Sequence, residues 1–389
     1  MEFYKFIQEQ QINNFDNLKL ILENSPFNLK IKDDINFPNL FLIHNQENSD
    51  FSLKLVKECN GIIVEKDTFK IVCYTFNKCS DNTSFDETLD LDNLYSEVAL
   101  EGTLVRLFYY NNKWNLSTKK CIDASKSKWI SNKNFLELFN ECLNGYNIES
   151  YLHQQYCYSF ILAHPENNIV INYQACTLFH ISTRDMTSLV EVDQFIGINK
   201  TDKKKVDKTD LPVIFGQILN DSNLLYEGCI FIDHNYNRYK VRTPHFLKVR
   251  SLWGNTNNRF FRYLELRKDL NMLNEYLSYY PRDRDIFMIY EGKVSELAND
   301  ILLYYMGKHV HKNITVVPFY FAKIIYKLHG DFFKLKVRTD YNKVMLLLYE
   351  LEAKKVCFMV NHNDKSKEIK NIFDLGQGYA MPGQMPVPV

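Results

Sequence analysis

Hydrophobic positions follow two different rhythms along the chain. Up to about residue 255 they come in short alternating or apolar runs of strand character: NLFLIH, GIIVE, FKIVCYTF, TLVRLFYY, KWNLST, CYSFILAH, NIVINYQ, CTLFHIS, EGCIFID and RYKVRT. Short polar links pair several of them. FKIVCYTF follows GIIVEKDT closely, and KWNLST follows TLVRLFYY across Asn111-Asn112, a hairpin turn because Asn tolerates positive φ. A helical stretch, SKSKWISNKNFLELFNECLN, lies between strands, and the charge run TDKKKVDKTD at 201–210 reads as a solvated loop. The expected fold class is α+β with antiparallel sheets.

After Gly254 the rhythm changes. From about 258 to 373 apolar residues recur every three or four positions, as in FFRYLELRKDLNMLNEYL, VSELANDILLYYM, PFYFAKIIYKLHGDFFKL and YNKVMLLLYELEAKKVCFMV. The chain is thus expected to hold a strand-rich domain over 1–255 and a smaller, all-helical domain over 256–374. The Gly/Pro-rich end, LGQGYAMPGQMPVPV, predicts a flexible tail over 375–389. A chain of 389 residues exceeds what one core usually supports, which agrees with two domains.

Composition narrows the function. Hydrophobic residues make up 46% and charged residues 24%, with 28 Phe and 25 Tyr, the profile of a folded globular protein rich in aromatics. Lys plus Arg and Asp plus Glu both number 47, so no protein-wide field attracts nucleic acid and any such binding must be local. Nine cysteines without a CxxC pair argue for reduced thiols in a cytosolic compartment, and no zinc-ligand spacing occurs. MEFYKFIQEQQ lacks the regions of a secretory leader, and no run of about 18 apolar residues is present. The expectation is a cytoplasmic protein without a membrane partner.

Five stretches carry candidate chemistry in a fixed order: ECNGIIVE at 58, ALEGTL at 99, FILAHPENNIV at 160, EGCIF at 227 and KVRTPHFLKVR at 240. Lys240 and Arg242, two apart on a strand, point to one face, as two phosphate ligands must. Arginine grips phosphate in a fork and lysine as a point charge. Gly228 lets backbone approach closely beside Glu227. Together these stretches resemble the RNA ligase branch of the covalent nucleotidyltransferases, the phage RNA ligase 1 type in particular, and ligase-like proteins of large DNA viruses. The resemblance covers residues 55–255 and implies a nucleotidyltransferase-fold domain. It implies nucleotide or RNA contacts for Glu101, Lys119, Glu227, Lys240, Arg242 and Lys248, and a host-cytoplasm location for a viral protein.

The departures from that family matter equally. Its nucleophilic lysine precedes an acidic-Gly-Ser/Thr stretch, and here Ala99 stands in that place before Glu101, Gly102 and Thr103. No lysine occurs between Lys78 and Lys113, so a register shift cannot supply the attacking amine. Ile161 replaces the glutamate of the third motif, Asn168 its arginine, and Asn60 the arginine of the Glu-Cys-Arg-Gly stretch. The combined pattern favours a pseudoenzyme over a single engineered lysine-to-alanine change.

Three functions then compete. The first is a non-catalytic protein that holds an RNA 5′ end or nucleotide, an mRNA cap foremost, because cationic methylguanine stacks on aromatic rings and its edge donates to a carboxylate. Glu101 and Glu227, with Tyr158, Phe160, Tyr173, Phe179 and Trp114 on nearby strands, are the candidates for that role. The second is an ATP-dependent RNA ligase, native or inactivated at Ala99, which would use ATP and Mg²⁺. The third is a structural subunit with a vestigial pocket. A protein partner is expected through the helical domain or the tail.

Overall fold

The computed structural model describes residues 1–81, 90–222 and 226–377. It divides into two compact units, Met1–Arg250 and Ser251–Val389.

The first unit opens with α1 (Glu2–Glu9) and α2 (Phe15–Glu23), amphipathic helices that the strand-like pattern did not announce. A first sheet follows in sequence order: β1 (Lys30–Asp33), β2 (Leu40–His44), then α3 (Lys54–Glu58), β3 (Asn60–Glu65) and β4 (Ile71–Cys73). All of its pairings are antiparallel. β5 (Ser80–Asp81) and β6 (Leu94–Ala99) belong to a different sheet from β7 (Thr103–Tyr110) and β8 (Lys113–Thr118). Asn111 and Asn112 both take positive φ at the β7–β8 turn, the conformation their short polar side chains tolerate.

Beyond α4 (Phe135–Leu143) come β9 (Tyr156–Ala163), β10 (Thr177–Asp185), β11 (Glu191–Val192) and β12 (Lys204–Val206). α4 starts nine residues after Lys126, the end of the preceding 3-10 turn, and Asn134 and Glu137 form a capping box at its start, so the helical expectation for 125–144 holds only for its second half. α5 (Leu211–Asn220), β13 (Gly228–Asp233), β14 (Arg238–Arg242) and α6 (Pro244–Trp253) complete the unit's elements. The second sheet runs β11-β10-β9-β7-β8 and the third β12-β6-β13-β14-β5. Their ladders are antiparallel except for the two-residue pairing of β14 with β5.

Two expectations are corrected. NIVINYQ, residues 168–174, forms no strand but a loop between β9 and β10, because the Val170 and Ile171 N–H groups go to a side chain instead of a neighbouring strand. TDKKKVDKTD is not wholly loop: Lys204–Val206 pairs with β6 as an edge strand, burying Val206 and exposing Lys204 and Lys205, and lysines of this kind discourage further strand pairing.

The second unit is helical: α7 (Arg259–Leu266), α8 (Leu270–Tyr279), α9 (Asp283–Tyr305) with a π-helical turn at Met306–Val310, α10 (Phe319–Leu335), α11 (Tyr341–Glu350) and α12 (Ala353–Gln377). α9 buries Phe287, Val294, Leu297, Ala298, Ile301 and Tyr305, a spacing that keeps one face toward its neighbours α10, α11 and α12. The tail expected from 375 thus begins inside α12, and residues 378–389 lie outside the described residues. Among the described residues no helix is long and apolar enough to cross a membrane.

Candidate functional site

Strand alternation gives each five-stranded sheet one packed face and one chemically distinct face. In the third sheet Leu94, Cys229, Phe231, Tyr239 and Val241 pack with Leu211 and Ile218 of α5. Register puts Glu97, Ile230 and Lys240 abreast on the other face, and Ala99, Gly228 and Arg242 beside them. In the second sheet Val105, Phe160 and Leu178 pack against α4. On its opposite face Leu104, Ile161 and Phe179 lie abreast across β7, β9 and β10, and all three are half-buried. The three-residue crossover 100–102 joins the two sheets, so Ala99 ends one and Thr103 begins the other.

That crossover is tightly built. A Cβ on Gly102 would lie 2.6 Å from Ile161 Cγ2 and 2.7 Å from the Leu162 carbonyl oxygen, so only glycine allows the approach. Glu101 is buried, and its carboxylate accepts the Val170 N–H at 2.9 Å and the Ile171 N–H at 2.6 Å. The Tyr173 hydroxyl donates to the Glu101 carbonyl at 2.9 Å, and Asn167 Nδ2 to Thr103 Oγ1 at 3.0 Å. Burial pushes the Glu101 carboxyl above the usual glutamate range, against the pull of its two backbone donors. The expectation of a carboxylate open to a base's edge is therefore corrected: Glu101 straps the 168–174 loop to the crossover.

Glu227 sits one residue before β13, with its N–H donating to the Ala99 carbonyl at 3.2 Å. Its buried carboxylate accepts from Arg242 Nε at 2.6 Å and from Lys240 Nζ at 3.2 Å. The two cations keep 16% and 24% of their side-chain surface accessible, against 8% for Glu227, so ligand can reach them more easily than the acid. Gly228 is required here as well, since its φ is +150° and a Cβ would overlap the Val241 carbonyl oxygen.

The other named residues are more scattered. Lys119 follows the end of β8, in a turn whose backbone packs against Gly61. The fully buried Arg106 secures that junction by donating to the Gly61 carbonyl and, at 2.5 Å, to the Thr118 carbonyl. Lys248 lies on the exposed side of α6, off the strand that carries Lys240 and Arg242. Asn60 is buried and donates to the Phe76 carbonyl, and Asn168 donates to Asn172 Oδ1.

Among the aromatics, Tyr158 and Phe160 are fully buried in the α4-side core with Trp114 packed on them, which removes all three from a base sandwich. Phe179 and Tyr173 remain half-buried near the crossover.

Sequence reasoning missed one buried charge group. Arg238 of the third sheet donates to both oxygens of Glu191 on β11, at 2.8 and 2.9 Å, and Arg184 approaches the same carboxylate at 3.5 Å. This joins the two sheets along one margin. Glu97, buried on the same face as Lys240, accepts from Thr201 Oγ1 at 2.7 Å, and burial raises its carboxyl above the usual range. The alternation of β14, with Arg238, Lys240 and Arg242 spaced by Tyr239 and Val241, carried a sequence signal for this face; β6, where Ser96 and Glu97 are adjacent, carried none.

The donor set does not suit a divalent cation. Glu227 already faces two cations, Glu101 faces two amide donors, and no group of three or more metal-ligating side chains occurs among the described residues. Chemically the arrangement offers two reachable cations, an apolar row and a small buried methyl at Ala99.

No protein-family model matches the chain. It is similar to the "Immediate-early protein ICP-46 homolog" of Invertebrate iridescent virus 3, at 25% identity over 241 residues, covering 57% of this chain and 52% of the viral one. The chain thus spans about half the length of that curated relative. Similar solved structures include an archaeal ATP-dependent RNA ligase, at 10% identity over 91% of this chain and 79% of that one with a TM-score of 0.41. Another is a putative ATP-dependent DNA ligase from Aquifex aeolicus, at 13% identity over 82% and 80% with a TM-score of 0.39. A Naegleria gruberi RNA ligase with ATP and Mn is 8% identical over 42% and 52%, with a TM-score of 0.33.

Proposed function

We propose that the first unit binds a nucleotide or an RNA 5′ end between its five-stranded sheets and transfers no nucleotidyl group. The observation that carries this reading is the Glu227–Lys240–Arg242 cluster, a buried acid holding two accessible cations in one orientation. Phosphates of a 5′ end would be held by Lys240 and Arg242. The base would lie on the row of Leu104, Ile161 and Phe179, whose apolar surface accepts any base face and offers no hydrogen bond. Ile161 in this row suits a binding role better than the third-motif glutamate of the RNA ligases that the sequence resembles.

Covalent transfer needs an amine free to attack an α-phosphate. Ala99 has none, and the amine of Lys240 is paired with Glu227. An mRNA cap remains the most specific ligand for this reading, and it would rely on Phe179 and Tyr173 in place of the three aromatics now assigned to the core. A vestigial pocket is the second reading, favoured by the internal partners that already satisfy both Glu101 and Glu227.

One titration separates these readings: methylated cap analogue, GTP and ATP against the full chain at two salt concentrations, with a denaturing gel for labelled adduct. Saturable binding that weakens with salt, without adduct, is the expected result. A preference of about 1–2 kcal/mol for the methylated analogue would assign the cap. No binding would leave the vestigial pocket, and an adduct surviving denaturation would return the protein to the ligases.

A further inference from the structure

Positive charge is concentrated in one part of this neutral chain. Residues 306–339 contain Lys308, Lys312, Lys323, Lys327, Lys334, Lys336 and Arg338, with Asp331 as the single acid. Three of these lysines, Lys323, Lys327 and Lys334, lie on α10 together with Asp331. One stripe of that helix, Phe321, Ile324, Ile325 and Leu328, is buried in the helical unit. On the opposite stripe Phe319, Tyr326 and Phe333 are 70%, 57% and 58% exposed, and Lys323, Lys327 and Lys334 are exposed along one side of that stripe.

The spacing is regular. Phe319, Tyr326 and Phe333 follow one another at intervals of seven residues, which keeps them on one side of the helix, about 10 Å apart along its axis. Gly330 stands in the same stripe, where a Cβ would meet nothing within 4 Å. Lys312, Lys323, Lys327, Lys334 and Arg338 make no ion pair among the described residues, and Asp331 is the one acid on α10.

We propose that this face of α10 binds a single-stranded nucleic acid, with unpaired bases stacked on Phe319, Tyr326 and Phe333 and phosphates held by Lys323, Lys327 and Lys334. A row of large exposed rings flanked by a row of cations matches a single strand, whose bases and phosphates lie on opposite sides of its backbone. A lone apolar partner would leave the lysines unsatisfied, and a duplex would hide the base faces that the rings need. The proposal goes beyond the inter-sheet reading and does not depend on it.

The test uses the full chain and a fluorescent oligouridylate with a 5′-hydroxyl, which gives the inter-sheet site no 5′-phosphate to hold. Anisotropy is measured across a salt series, with a base-paired RNA and phosphatidylserine vesicles alongside. Charge reversal at Lys323→Glu, Lys327→Glu and Lys334→Glu is expected to weaken binding at least about tenfold and flatten the salt dependence. Phe319→Ser, Tyr326→Ser and Phe333→Ser is expected to weaken it by roughly tenfold or more with the salt slope retained.

Both variants alter exposed side chains, so both should fold, with the circular dichroism and melting temperature of the parent. Oligouridylate binding that is absent in the parent, unchanged in either variant, or matched by the duplex would overturn the proposal. Vesicle binding lost with the rings, in a protein that ignores oligouridylate, would assign the face to a lipid surface instead.

Discussion

Glu101 Oε2 accepts the Ile171 N–H at 2.6 Å, a bond that joins residues 70 positions apart and makes a loop of a stretch with the apolar content of a strand. The Val170 N–H, at 2.9 Å, shares the same oxygen. Two amides that a sheet would ordinarily pair are satisfied by one buried carboxylate, and the chain between β9 and β10 is held against the crossover to β7.

Removing that carboxylate should therefore cost stability. Glu101→Ala leaves two amide donors without acceptors and is expected to lower the unfolding free energy by about 1–3 kcal/mol. Glu101→Gln keeps one acceptor oxygen and should lose less. Chemical denaturation of the two variants measures this, and an alanine variant as stable as the parent would show that the strap contributes nothing.

Burial raises the Glu97 carboxyl above its ordinary value, so the folded state favours the protonated form. Its contribution to stability is complete below the unfolded glutamate value of about 4.3 and is lost as pH rises through the higher folded value. Glu97→Gln imitates the neutral form and still accepts from Thr201. The stability of this variant relative to the parent is expected to grow as pH rises above about 4.3. A constant difference across denaturation curves in that range would contradict the assignment.

The Lys240→Ala, Arg242→Ala pair tests the phosphate reading. It should weaken methylated, unmethylated and adenosine triphosphates alike and reduce the salt dependence of each. It also leaves Glu227 buried without its cations. Because Lys240 and Arg242 are partly exposed, the stability loss is expected to be about 1–2 kcal/mol, below that of a fully buried pair. Titration and thermal melting follow the two effects separately.

Two glycines should respond in opposite directions to alanine. Gly228→Ala drives a methyl into the Val241 carbonyl at a backbone φ of +150°, and a loss of about 3 kcal/mol or more is expected. Gly330→Ala places its methyl in open space on a helix and should stabilise that unit by about 0.5–1 kcal/mol. Melting curves of the two variants report both signs.

The sequence alone determined what local patterning controls. Period-two runs marked most strands of the first unit, period-3.6 runs marked α7 to α12, and Asn111-Asn112 marked a turn that needs positive φ. The facing of Lys240 and Arg242 followed from alternation along β14. Only the tertiary structure decided which side chains were already engaged. NIVINYQ has the composition of a strand, yet Glu101 takes its amides. Tyr158 and Phe179 sit on neighbouring strands of one sheet, and register alone sends the first into the core and the second to the open face. The acid–base partnership of Glu227 with Lys240 and Arg242, and of Arg238 with Glu191, joins residues 13 to 47 positions apart. Pattern propagates along the chain through backbone geometry, whereas hydrogen bonds and ion pairs form between whichever groups the packed sheets bring within about 3 Å.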